Sequence, residues 1–86
     1  MMTIAKYVSV NPQICHGKPC FKGTRIMVYL VLEMLEAGAT LANIQEAYPG
    51  LTAEHVKAAL EFAARAVETG RYDAALMTPR RHAISG

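Results

Sequence analysis

No stretch of this chain approaches the roughly 18 to 20 consecutive apolar residues that a membrane-spanning helix needs, which excludes that architecture. Residues 1–10 hold one lysine and no apolar core of the roughly 7 to 15 residues used by a secretory signal, so the expected location is the cytoplasm. There, the two cysteines, Cys15 and Cys20, are expected to stay reduced thiols. Catalytic signatures are missing as well. There is no carboxylate pair, no serine elbow and no aspartate-rich metal site, and 86 residues leave little material for a substrate cleft around a Cys15 nucleophile. The expectation is a protein that is not an enzyme, with no cofactor and no small-molecule substrate. Internal repeats and low-complexity tracts are also absent.

Acidic residues are missing from residues 1–25, which carry Lys6, Lys18, Lys22 and Arg25. Residues 26–70 reverse the balance, with two bases against six glutamates, and the tail from Arg71 adds three arginines against Asp73. A basic arm beside an acidic body is a plausible nucleic-acid footprint, although four positive charges do not establish one.

What the chain does have is apolar material, 52% of 86 residues. At this length a domain buries only around 60% of the surface of its unfolded chain, so sharing that material with a second copy is the economical expectation: a homodimer. Ile4–Val10 mixes β-branched and aromatic residues and runs into Asn11-Pro12, which reads as a short strand needing a partner, from Phe21–Ile26 or from another subunit. Met27–Ala37 is apolar on nearly every face and reads as a helix buried all round, stopped by Gly38. Thr40 caps a short helix over Leu41–Tyr48, and Pro49-Gly50 ends it. Thr52 caps a third helix that runs to Gly70, with Leu51 and Val56 as a hydrophobic staple. Its expected buried stripe is Val56, Ala59, Leu60, Ala63 and Val67, with Lys57, Glu61, Arg65 and Glu68 facing water.

The short glycine-containing connection between the last two helices has the geometry of a helix-turn-helix. In that reading Thr52, His55 and Lys57 at the start of the second helix approach base edges, while Lys18, Lys22 and Arg25 contact phosphates. An ordinary helical hairpin in a small bundle is the alternative. The Cys15-His16-Gly17-Lys18-Pro19-Cys20 run invites a metal assignment, but a structural zinc site needs four ligands; two buried thiols in a tight turn is the simpler account, and no metal is expected. Gly17–Thr24 lacks the Gly-Lys-Ser/Thr order of a phosphate-binding loop.

The segment Gly17–Ile26, Gly-Lys-Pro-Cys-x-Lys-Gly-Thr-Arg-Ile, together with Tyr48-Pro49-Gly50-Leu51-Thr52 and the following Ala53-Glu54-His55-Val56, resembles the bacterial family catalogued as domain of unknown function 433, from about Ile4 to Thr69. One departure is Met27, where the family usually opens the first long helix with proline. The resemblance implies a mainly α, homeodomain-like or winged-helix core with a short N-terminal β strand or hairpin. It also implies a role as a VapB-like antitoxin that neutralises a PIN-like ribonuclease toxin and binds its own promoter DNA. Residues 1–70 then form the helix-turn-helix domain and residues 71–86 a flexible basic tail, in which Arg71, Tyr72, Leu76, Met77, Arg80 and Arg81 are the expected toxin contacts. A stand-alone transcription regulator and a protein-interaction module that never touches DNA are the alternatives.

Overall fold

The computed structural model describes residues 4–70. In chain order these form α1 (Ile4–Tyr7), β1 (Val8–Ser9), a 3-10 turn (Cys15–Gly17), β2 (Cys20–Phe21), α2 (Val28–Glu36), α3 (Leu41–Ala47) and α4 (Ala53–Glu68). The domain is mainly helical, with one small antiparallel hairpin that pairs Val8 with Phe21 and Ser9 with Cys20.

The expected strand over Ile4–Val10 is cut down to two residues, and its first half becomes the helical turn α1. A ladder is no longer than its partner, and β2 is bounded by Pro19, which has no N–H to donate, and by the Gly23 turn at φ +78°. Thr24 closes that turn, its hydroxyl donating to the Phe21 carbonyl at 2.7 Å and accepting from the Ile26 N–H at 3.0 Å. The other edge of β2 is also occupied, by a bridge from Cys20 to Met27 and by the Val28 N–H donating to the Pro19 carbonyl at 3.0 Å. Within one chain, therefore, β1 has its partner.

Gly38, at φ +92°, ends α2 in a Schellman motif. The Ala39 N–H reaches back to the Met34 carbonyl at 2.9 Å and the Gly38 N–H to that of Leu35 at 3.0 Å. The helix is not buried all round. Val28 and Val31 are buried, but Tyr29 is 45% exposed, because the described residues pack on one side of α2 and none of them covers its outer side.

Thr40 and Asn43 form a reciprocal capping box at the start of α3, at 2.9 and 3.2 Å. The connection to α4 is fastened by the Leu51 N–H on the Tyr48 carbonyl at 3.0 Å and by the Gln45 amide on the Leu51 carbonyl, also at 3.0 Å. Leu51 itself is buried, with Val56 packed against the same core, as expected of the staple.

The inward line of α4 differs from the expected stripe. Ala58 and Ala59 are buried, and half-buried His55 and Phe62 lie on the same side, whereas Leu60 is 51% and Val67 68% exposed. The apolar arc of this helix is wide enough to allow two inward faces. The one with alanines at its centre wins because α1 and α2, which both pack on α4, approach closely there. Phe21, Ile44, Leu51, Val28 and Val31 fill the core.

Candidate nucleic-acid interface

The first turn of α4 is built around His55. Its Nδ1 accepts the Thr52 backbone N–H at 3.1 Å and lies 2.9 Å from the Thr52 hydroxyl. Its ring stands edge-on to Tyr7, centroids 4.7 Å apart, and to Phe21 at 5.6 Å. One imidazole thus ties α1 and β2 to the start of α4, and the residue expected to read bases is largely occupied inside the chain.

Two basic residues attach to the α1 side of that tie. Lys22 donates its backbone N–H to the Tyr7 carbonyl at 2.8 Å and its ammonium to the Ala5 carbonyl. Lys6 lies over the Tyr7 ring, 5.7 Å from its centroid. Lys6 belongs to the basic arm of the sequence, but within an expected strand no local pattern marks which side it takes, so its contact with Tyr7 is not legible there. Lys57 is exposed one turn into α4, and so is Glu54, the acid at the helix start.

Lys18 and Arg25 belong to a second group, joined through Cys15. The Lys18 N–H donates to the Cys15 carbonyl at 3.0 Å, and the Cys15 thiol donates to the Arg25 carbonyl at 3.5 Å. Both basic side chains are exposed, and Arg25 lines an open pocket of about 340 Å³ with Ser9, Ile14, Gly23 and Thr24. The structure therefore places Lys22, Thr52 and His55 in one neighbourhood and Lys18 with Arg25 in another. Arg71, Tyr72, Leu76, Met77, Arg80 and Arg81 lie outside the described residues.

Cys15 and His16 sit in the 3-10 turn, both in left-handed backbone at φ +55° and +56°, rather than on an extended chain. Cys15 and Cys20 are buried free thiols. Burial pushes the Cys15 thiol above its ordinary value, the neighbouring Cys20 thiol adds to the rise, and the Arg25 guanidinium offsets part of it. A thiol held protonated in this way is a poor nucleophile and a poor metal ligand. Among the described residues, no three His, Cys, Asp or Glu side chains gather as a metal cluster. No helix in this part of the chain is long and apolar enough to cross a membrane.

Taken together, the fold and its exposed basic turns define a small, mainly helical domain in which two helices joined by a tight turn present the start of the longer one. The chain belongs to the DUF433 family, "Protein of unknown function (DUF433)", whose model matches residues 8–63. It is similar to a DUF433 member protein from Anabaena variabilis whose crystal structure is known at 2.00 Å, with 31% identity and a TM-score of 0.65, over 72% of this chain and 61% of that one. It is 38% identical over 56 residues to the protein y4eO of Sinorhizobium fredii, which covers 65% of this chain. The chain spans only 25% of that relative's length.

Proposed function

We propose that this chain is the DNA-binding antitoxin of a toxin-antitoxin pair, a cytoplasmic homodimer without enzymatic activity that neutralises a PIN-like ribonuclease and represses its own promoter. The observation that carries the DNA part is that Lys6 lies over the Tyr7 ring and Lys22 bonds the Tyr7 carbonyl through its backbone, while Tyr7 itself packs on His55 at the start of α4. A helix start offers unpaired N–H groups to a phosphate, and the helix dipole favours an anion there. In this reading Lys22 and Lys6 meet phosphates beside the helix, Lys18 and Arg25 meet phosphates further along the backbone, and Lys57 and Thr52 come nearest the bases. His55 acts by fixing the helix start. The toxin part rests on the family likeness and on the Arg71–Arg81 segment, whose arginines suit an acidic nuclease pocket.

Retardation of promoter fragments tests the reading. Affinity should fall steeply with salt, and Lys22→Ala should weaken binding to all sequences alike. No retardation at low salt, with or without a partner, abandons DNA binding. Removal of residues 71–86 should abolish inhibition of the cognate nuclease and leave DNA binding in place.

A second reading, an interaction module that never touches DNA, has its own support. Over residues 4–70 six bases are balanced by six glutamates, and large apolar side chains stand exposed on α4. This reading predicts a purified partner protein and no salt-dependent DNA retardation.

A further inference from the structure

We infer that the outward face of α4 is a self-association surface, and that two copies of this chain pair along it with their α4 helices antiparallel. The inference names the interface of the homodimer in the proposed function, and it does not depend on DNA binding.

At about 100° per residue, Ala53, Leu60, Ala64 and Val67 fall within about 40° of one line along α4, on the side opposite Ala58 and Phe62. All four are exposed, Val67 more than any other large apolar residue described. Among the described residues the core is filled without this face, so leaving Leu60 and Val67 in water has a cost in free energy that no described residue offsets.

A second copy fits the pattern because the face is complementary to itself. In an antiparallel pair with Leu60 opposite the other copy's Val67, Ala63 and Ala64 meet at the two-fold axis. Small residues there let the helices approach closely. The same register brings Lys57 of one copy to within about one helical turn of Glu68 of the other, twice by symmetry, since charged flanks on the same side face each other in such a pair. Glu68 is held in place by Arg65 of its own chain on the exposed surface, an interaction weak enough to share. A parallel pair would instead put the Lys57 and Glu68 flanks of the two copies on opposite sides of the seam, where they do not meet.

The register has a geometric consequence for the proposed function. Residues 52–55 of the two copies end about 30 Å apart along the paired helices, at about 1.5 Å per residue. That is close to the roughly 34 Å separating successive major grooves on one face of B-DNA. The two helix starts thus fall at half-site distance without further adjustment.

Sedimentation of the full chain, without DNA, tests the interface. The mass should rise from 9.4 kDa towards twice that value over about 5 to 500 µM, the range expected of a small interface. Leu60→Glu/Val67→Glu should remain monomeric throughout with unchanged helical circular dichroism, because both side chains are already exposed. Lys57→Glu should weaken the dimer by at least about threefold, and Lys57→Glu/Glu68→Lys should restore it. A wild-type monomer at every concentration overturns the inference. A dimer that survives Leu60→Glu/Val67→Glu overturns this face while leaving the homodimer standing, and a double charge variant that fails to recover overturns the antiparallel register.

Discussion

Thr52 and His55 lock the start of α4 through a single ring nitrogen. The Thr52 N–H donates to His55 Nδ1 at 3.1 Å, and the Thr52 hydroxyl lies 2.9 Å from the same nitrogen. His55→Ala removes this cap and the edge contacts to Tyr7 and Phe21 together, and should cost about 2 kcal/mol. His55→Asn should recover the cap, as Asn43 serves α3, but not the aromatic contacts. Thermal melts followed by circular dichroism should rank wild type above Asn and Asn above Ala; equal stability for Asn and Ala would show that the cap contributes nothing.

Two glycines should respond in opposite ways to the same substitution. At Gly38 the backbone is left-handed, φ +92°, so although a methyl group meets no neighbour, Gly38→Ala should destabilise by about 1 kcal/mol. Gly50 lies outside that region with open space around it, and Gly50→Ala should be neutral or stabilising by up to about 1 kcal/mol. Urea midpoints of the two variants decide the matter.

Phe21 has no exposed surface and joins the hairpin to the helices. Phe21→Ala should cost about 3 to 5 kcal/mol, a large part of the stability of so small a domain, and leave a broad or absent unfolding transition. Leu51→Ala, in the turn between α3 and α4, should cost about 2 to 5 kcal/mol.

Alkaline pH should loosen the fold through Cys15. Burial holds its thiol protonated beyond the ordinary value of 9.0, so the unfolded chain ionises first. The stabilisation is therefore complete below about pH 9 and is lost as pH rises through the higher value of the folded state. Urea unfolding at about pH 7 and about pH 10 should show a drop that is smaller in Cys15→Ala. An identical drop in the variant would remove Cys15 as its cause.

Local rules made the helix ends readable in the sequence. Thr40, Thr52, Gly38 and Gly70 act within a single turn, and each marks a boundary where it was expected. The inward faces were harder to read. An α4 with apolar residues on both sides permits two orientations, and Tyr7 and Phe21, distant in sequence, decide between them. The same limit applies to the candidate site. Lys22 is identifiable as a basic residue without an acidic neighbour, but that it and Lys6 both attach to Tyr7, beside the α4 start, depends on Tyr7 packing against His55, a contact that no local pattern encodes. Ile4–Tyr7 has real β propensity but does not form strand, because the partner that would use it turns away at Gly23, just beyond the Lys22 N–H that bonds the Tyr7 carbonyl.

The contact between Tyr7 and His55 also sets an order of events during synthesis. A ribosome adding roughly 5 to 20 residues per second needs roughly 2 to 10 seconds to pass from the first of these residues to the second. Throughout that interval Tyr7, and for most of it Phe21, has left the peptidyl-transferase centre without the imidazole that covers it. The hairpin cannot finish docking until nearly the whole domain has been made, so the basic N-terminal arm takes up its place beside α4 as a late step in the life of the nascent chain.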